Sequence, residues 1–294
     1  MYSLKIDFPK YYSTKFGAAY LTNSLDFMMS LPDNCINLVM TSPPFALQRK
    51  KEYGNVEAKD YIEWILPFAR EIYRILTKDG SFVIDIGGSW IKGQPTRSLY
   101  HLEIAIAFVK EIGFHLAQEF FWYNPAKLPT PAEWVNVRRV RVKDAVNTIW
   151  WLSKTPDPKA NNRNVLIEYS DSMKALLING YKAKLRPSGH DISTKFSKDN
   201  SGAIPSNMLQ IANTESNSSY LRQCKAHNIK PHPARYPQAL PEFFIKLLTV
   251  PGDIVLDPFA GSMVTGAACE KLERIWLGVE LVESYLEGSR FRFA

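Results

Sequence analysis

Apolar positions along the chain change period from one stretch to the next. Residues 36–40 (INLVM) form a short unbroken apolar run between turn signals, the pattern of a strand covered on both faces. Residues 60–76 (DYIEWILPFAREIYRIL) then place apolar side chains at Ile62, Ile65, Ala69, Ile72 and Leu76, the spacing of one helix face. Pro67 lies inside that run and is expected to kink or divide the helix. Asp79-Gly80 turns into SFVIDIGG, a second buried strand that ends in glycines. Residues 103–112 read as a helix with Gly113 as its C-cap, and residues 117–123 (AQEFFWY) as a third strand.

From Asn124 to about Pro233 the periodicity fades, and prolines, Asn/Ser clusters and basic residues dominate. One run inside it, residues 145–152 (AVNTIWWL), still predicts a strand, with Trp150 and Trp151 in the core. Residues 137–143 (VRRVRVK) alternate apolar and cationic side chains. They read as a strand whose basic face, carrying Arg138, Arg139 and Arg141, meets either phosphates or solvent. After this stretch α/β order returns. A helix over 240–248 leads to a Pro251-Gly252-Asp253 turn and a strand over 254–256 that runs into DPFAGSMVTG. A helix over 263–272 follows, then a strand over 276–279 that ends at Glu280. Strand, Gly-containing loop, helix, strand and acid together make a nucleotide-type βαβ unit. The fold class is α/β with a mostly parallel sheet and a loop-rich insertion.

Charge sharpens this division. The chain of 294 residues carries a formal charge of +7, but residues 127–235 hold 18 Lys+Arg against 8 Asp+Glu, so the rest of the chain is slightly acidic. A basic segment of that kind attracts polyanions, of which nucleic acid is the commonest. Apolar residues make up 46%, enough for a full core in one large domain with an insertion or in two modest domains. Cys35, Cys224 and Cys269 stand alone without CxxC spacing, and five scattered His give no zinc pattern, so no metal is expected. The beginning MYSLKIDFPKYY has no signal-peptide core and no apolar run reaches membrane-spanning length. These features predict a soluble cytoplasmic protein without a membrane partner.

Two short motifs carry the candidate chemistry. Asp257 ends a strand, Gly261 lets backbone approach a ligand, and Glu280 lies at the offset that suits two ribose hydroxyls. The loop lacks GxGxxG, so it offers no clearance for a pyrophosphate; a nucleoside cofactor remains. The second motif is Ser42-Pro43-Pro44-Phe45, at the carboxyl end of the first buried strand, where ligands bind in open α/β sheets. The prolines present carbonyl acceptors and no N–H, Ser42 adds a hydroxyl, and Phe45 adds a ring face. That set suits an aromatic amine, whose two hydrogens meet acceptors while its ring stacks.

TSPPF near the start and DPFAGS near the end resemble the amino-methylating DNA methyltransferases of the permuted beta order, and most of all the PvuII-type N4-cytosine group of restriction–modification systems. TSPPFALQRKKEYGN, RPSGHDIS, FSKDNSGAIPSN and HPARYP all carry the likeness, which covers nearly the whole chain. The resemblance implies a circularly permuted, Rossmann-like S-adenosylmethionine-dependent fold. Residues 1–126 form its catalytic half, 127–230 a target-recognition region, and 231–294 the cofactor-binding half. It implies S-adenosyl-L-methionine as cofactor, double-stranded DNA as substrate, and a cognate restriction endonuclease in the same system with no stable complex between the two. Ser42, Pro43, Pro44 and Phe45 match the catalytic tetrapeptide, in the serine form similar to N4-cytosine enzymes; Asp or Asn there is usual for N6-adenine enzymes. Asp257, Phe259, Ala260, Gly261 and Ser262 match the loop for the methionine part of the cofactor, and Glu280 its ribose acid. HPARYP, from His232, matches a segment closing over the methionine end. Asn23 stands where the family often has an Asp that meets the cofactor's adenine amine. Trp122 and Tyr123 match the strand end beside the extruded base.

For DNA, the resemblance and the charge point to Arg49, Lys50 and Lys51 beside the catalytic motif and to Arg138, Arg139 and Arg141. Arg186 is a candidate reader of a guanine edge, whereas its neighbour His190 reads as a structural hydrogen-bonder. Asp85 either tunes Ser42 or caps a loop. The rival enzymes are an N6-adenine methyltransferase, an RNA methyltransferase and an NAD(P)-linked enzyme built on the C-terminal βαβ unit. A C5-cytosine mechanism needs a cysteine nucleophile just after a proline, which no cysteine here provides.

Overall fold

In a computed structural model of the chain, residues 4–46, 56–180, 198–214 and 218–293 are described. The chain divides into two compact units. One comprises Met1–Ala160 with Asn207–Ala294, the other Asn161–Ser206. The smaller unit holds a helix over Asp171–Asn179, capped by the Ser170 hydroxyl on the Met173 N–H, and a bridge between Ile167 and Ala203.

Among the described residues the larger unit has nine strands: β1 (Tyr12–Ser13), β2 (Gly17–Leu21), β3 (Ile36–Thr41), β4 (Leu76–Ile86), β5 (His115–Tyr123), β6 (Val146–Ser153), β7 (Met208–Gln210), β8 (Ile254–Asp257) and β9 (Ile275–Glu280). Their order across the sheet is β1-β2-β9-β8-β3-β4-β6-β5-β7. The run β2-β9-β8-β3-β4 is parallel throughout, while β6 pairs antiparallel with both β4 and β5. The two strands latest in the chain, β8 and β9, therefore stand between β2 and β3. The chain leaves β8 toward one edge and β3 toward the other, which makes the β3/β8 boundary a topological switch point. Ligand crevices open there because the loops at the carboxyl ends diverge.

Five of the six β3 residues are buried, as an interior parallel strand requires, and the expected strand extends one residue further, to Thr41. The helix α1 (Ser24–Ser30) follows β2, and α2 (Tyr61–Ile75) follows β3. α2 buries Tyr61, Ile65, Ala69, Ile72 and Ile75 along one stripe. It runs undivided through Pro67, against the expectation from sequence. Pro67 lies on the exposed side, where the carbonyl that loses its N–H partner faces water instead. The Asp79-Gly80 turn is absorbed into β4: Ile36 pairs with Leu76 and Leu38 with Ser81, so the residues between bulge out and the strand resumes. The helix α3 (Tyr100–Ala107) widens into a π-turn over Phe108–Ile112 and stops at Gly113 with φ 96°. Trp150 and Trp151 are buried on β6.

The strand expected over 137–143 does not form. Glu133–Val137 make a π-turn, and the chain then runs irregularly, with Arg139 at φ 54°. Val137, Val140 and Val142 are 70%, 54% and 84% exposed. The alternation is real, but no core face receives the valines and no strand edge pairs with the backbone, so the pattern stays a surface ribbon. Toward the end of the chain α4 (Ala239–Leu248), α5 (Val264–Lys271) and α6 (Glu283–Ser289) pack around β8 and β9. Among the described residues no helix is long and apolar enough to cross a membrane.

Candidate active site

Strand register brings the first two site residues together. Thr41 pairs with Ile84 across β3 and β4, so the next residues along, Ser42 and Asp85, meet at the end of the sheet. The Ser42 hydroxyl donates to Asp85 Oδ2 at 3.2 Å, and Asn147 from β6 donates its amide to Oδ1 at 3.2 Å. Asp85 is buried, and burial pushes its carboxyl up to about 6 despite these two donors and the charge of Lys127. Sequence left Asp85 between two roles; in the structure its partner is Ser42.

The loop after β3 is held from behind. Tyr61 on α2 donates to the Pro44 carbonyl at 2.7 Å. Pro44 is therefore engaged, while the Pro43 carbonyl remains as the acceptor beside Ser42. The ring of Phe45 lies against Gly87: a Cβ built on that glycine would fall 2.5 Å from the ring. This close approach explains why the apolar run of β4 ends in glycine.

The second half of the site descends from β8 and β9. The Gly261 N–H donates to Glu280 Oε2 at 2.9 Å, and the N–H groups of Leu281 and Val282 donate to Oε1 at 2.9 Å each. These bonds aim the Glu280 carboxylate; burial raises its pKa. Gly261 has φ 51°, in the left-handed region, and a Cβ there would stand 3.1 Å from the His232 ring. Burial pushes His232 down to about 4, against the contact of its Nδ1 with the Ala234 carbonyl, which favours the protonated ring. Ser262 is buried and its hydroxyl accepts from Arg292 at 3.2 Å.

These groups line one cavity of about 630 Å³, within the usual range for a small-molecule site. Ser42, Pro43, Pro44 and Phe45 line one end. Phe259, Ala260, Gly261, Ser262 and Glu280 line the other. Trp64 and Phe68 on α2 add an aromatic wall, their rings 5.8 and 5.1 Å from that of Phe259. The sequence reading did not single out this pair, although its i, i+4 spacing on a helix is a signal that could have found it.

Several expectations change at the level of side chains. Asp257 is buried and is not among the residues lining the cavity. Its carboxylate accepts from Thr41 at 2.6 Å, Thr265 at 2.6 Å, Tyr236 at 3.2 Å and the Phe259 N–H at 3.1 Å. Four donors use its lone pairs, so it anchors the loop and leaves ligand contact to its neighbours. Asn23 lines the cavity, but its Oδ1 caps α1 by accepting from Leu25 and Asp26. The acceptor foreseen for an adenine amine is thus committed to the helix. Trp122 lines the cavity and donates from Nε1 to the Ile211 carbonyl at 2.8 Å, whereas Tyr123 does not line it. Neighbouring strand residues point to opposite faces, so only one of the two can. Arg141 places its guanidinium 4.0 Å from the Trp90 ring centre and donates to the Pro95 carbonyl at 2.6 Å, a structural use. Arg138 and Arg139 are exposed. Arg49, Lys50, Lys51, Arg186 and His190 lie outside the described residues. Lys127, Asn124, Asn147 and Asn213 line the cavity and carried no signal in the sequence.

A sheet with a serine–aspartate pair at the end of β3 and β4, facing a glycine–glutamate pair at β8 and β9, agrees with comparisons of the whole chain. Residues 36–291 match the DNA methylase family. The chain belongs to this DNA methylase family. The methylase is 54% identical over 285 residues to the type II methyltransferase M.PvuII of Proteus hauseri, covering 96% of this chain and 85% of that protein. A solved structure described as PvuII DNA methyltransferase (cytosine-N4-specific) superposes with a TM-score of 0.81 at 46% identity, covering 99% of the methylase and 90% of that chain. The Escherichia coli (strain K12) DNA adenine methyltransferase YhdJ is 24% identical, covering 93% of this chain and 83% of that protein.

Proposed function

We propose that this methylase transfers a methyl group from S-adenosyl-L-methionine to the exocyclic N4 of a cytosine turned out of a short duplex DNA sequence. The observation that carries the proposal is the Ser42 hydroxyl, fixed by Asp85, opening on the same cavity as Gly261 and Glu280. The 54% identity to M.PvuII, whose solved structure is described as cytosine-N4-specific, supports cytosine over adenine.

The residues present fit the cofactor. Gly261 leaves a cradle that a Cβ would fill, and the carboxylate of Glu280, at the same end of the cavity, suits a ribose diol. Phe259, Ala260 and Ser262 line the adjoining wall. When bound, S-adenosylmethionine supplies an electrophilic methyl group on a sulfonium.

The chain's own residues prepare the nucleophile. A paired cytosine inside a duplex is out of reach, so the base must leave the stack at a cost of a few kcal/mol. Stacking on an aromatic face such as Phe45 returns roughly 1–3 kcal/mol. Ser42 donates its proton to Asp85, which turns its lone pairs toward an incoming N–H. The Pro43 carbonyl offers the second acceptor. Holding both amine hydrogens draws the nitrogen lone pair out of conjugation with the ring and makes it nucleophilic. The alkylated amine is acidic and loses its proton late, so no strong base is needed.

Arg138 and Arg139, exposed in the structure, are read as phosphate contacts, and the region over 127–230 as target-recognising. A cognate restriction endonuclease belongs to the same proposal, with no stable complex, as does a cytoplasmic location. The test is methylation of duplex DNA with labelled cofactor followed by mass spectrometry of the nucleosides. Labelled N4-methylcytosine is expected; N6-methyladenine in its place overturns the cytosine assignment.

A further inference from the structure

We infer that Lys127 is a specificity-determining residue that donates from its ammonium to the O2 carbonyl of the extruded cytosine. The inference rests on the N4-cytosine reading above and adds to it a group that distinguishes the base.

The backbone of Lys127 is fixed while its ammonium is unused. Its N–H donates to the Asn124 carbonyl at 3.1 Å. Asn124 is itself held, its Oδ1 accepting from Ala126 and Asn213 at 3.1 Å each. From the other side Lys143 donates to the carbonyls of Pro125 at 3.3 Å and Lys127 at 3.1 Å. The Lys127 side chain lines the cavity with Ser42, Asp85 and Asn147. Its ammonium makes no hydrogen bond or ion pair among the described residues, although it feels the charges of Asp85 and Asp144 across space. A partly buried cation that lines a site, with no direct partner among the described residues, is a donor prepared for a ligand.

The chemistry of the two candidate bases decides what that ligand is. Along its pairing edge cytosine presents the N4 amine, the N3 acceptor and the O2 acceptor. Adenine presents the N6 amine and the N1 acceptor, and then a C–H. With the amine at Ser42, a cation further along the same edge meets a carbonyl on cytosine and carbon on adenine. The second case strips water from the ammonium and returns nothing, which is how a polar site rejects an isostere. Ser42 and the Pro43 carbonyl recognise an amine, which both bases have. Lys127 supplies the part of the recognition that they cannot.

The test compares single-turnover methylation of two duplexes that differ only at the target base, cytosine or adenine, with the target first located by sequencing DNA that the enzyme has methylated. Lys127→Met keeps the stem and removes the donors; Lys127→Gln keeps an N–H donor without the charge. At pH 8, where Asp85 is ionised with or without the nearby Lys127 charge, Lys127→Met is expected to slow the cytosine duplex and to speed the adenine duplex, which no longer strips an ammonium of water, so their ratio falls about 10- to 100-fold. Lys127→Gln is expected to restore part of the ratio. The salt dependence of DNA binding should keep its wild-type slope, because no phosphate contact is lost. A slope reduced by about one with both duplexes slowed equally makes Lys127 a phosphate contact and overturns the inference, as does an unchanged ratio. If Lys127→Met melts below the wild type, Lys127→Gln alone carries the test, and a ratio equal to that of a Lys127→Ala protein overturns it. Wild-type protein that makes no N4-methylcytosine refutes the function itself, an outcome distinct from every variant result.

Discussion

The hydroxyl of Thr41 donates to Oδ1 of Asp257 at 2.6 Å and joins two residues 216 positions apart. Thr41 ends β3 one residue before Ser42, and Asp257 ends β8 just before the glycine loop. The bond fastens the two halves of the site across the switch point of the sheet. Thr41→Val removes one of the donors that satisfy a buried carboxylate. Stability should fall by about 1.5–3 kcal/mol, read as a shift of the urea midpoint without a change in slope. An unshifted midpoint would show that the bond contributes nothing net.

Asp85 gives the site a pH signature. Its carboxyl is raised to about 6 by burial, above the ordinary carboxylate range. Between those values the folded chain holds a proton that the unfolded chain has released. Stability therefore declines as pH rises through that window and levels off above about 6. Activity should move the opposite way, because only the ionised carboxylate accepts from Ser42 with full strength. The single-turnover rate is expected to climb with an apparent pKa near 6. Asp85→Asn should flatten that limb, slow the reaction, and stabilise the protein at pH 8 by roughly 2–3 kcal/mol. A rate profile unchanged in Asp85→Asn removes Asp85 from the mechanism.

Ser42→Ala deletes the hydroxyl and leaves the prolines in place. Turnover is expected to drop about 10²- to 10³-fold, the usual effect of losing one hydrogen bond in a transition state. DNA affinity by gel shift should stay near that of the wild type. Undiminished methylation by this variant refutes the role given to Ser42.

Gly261→Ala forces a Cβ to within 3.1 Å of the His232 ring at a residue with φ 51°. The loop must shift, and Glu280 then loses the N–H that aims it. Thermal stabilisation by S-adenosylmethionine should shrink or vanish, where a ligand at a hundred times its Kd normally adds about 2.7 kcal/mol. An unaltered shift places the cofactor elsewhere.

The arginines of residues 138–141 should separate by salt titration. Arg138→Ala and Arg139→Ala should each lower the slope of log affinity against log salt by about 1 and leave melting unchanged. Arg141→Ala should instead lower the melting temperature, since it loses the Trp90 ring and the Pro95 carbonyl. A reversed pattern exchanges the two roles.

What the sequence told depended on how local the determinant was. β3, β8 and β9 were legible because a short apolar run between turn signals encodes a covered strand without reference to anything else. Glu280 was legible because its spacing from Asp257 is set by one βαβ unit. The contact between Ser42 and Asp85 was not, because it follows from the pairing of Thr41 with Ile84, and register is a property of two strands. Residues 137–143 misled for the same reason in reverse: alternation makes a strand only where an edge and a core face are available. Asp257 carried a recognisable motif, but which of its neighbours would use its lone pairs depended on Thr41 and Tyr236, far away in the chain. Lys127 belongs to an aperiodic loop, and nothing in its neighbours marks it.

The placing of β8 and β9 between β2 and β3 also sets a schedule. As the chain emerges from the ribosome, β2 and β3 are complete long before the strands that separate them exist. Each waits with an open edge, and Ser42 waits without the loop that faces it. The sheet closes from the middle, and the site is assembled in the same event. The cofactor end of the cavity and the catalytic end therefore come together only once β8 and β9 have been made and inserted between strands that preceded them.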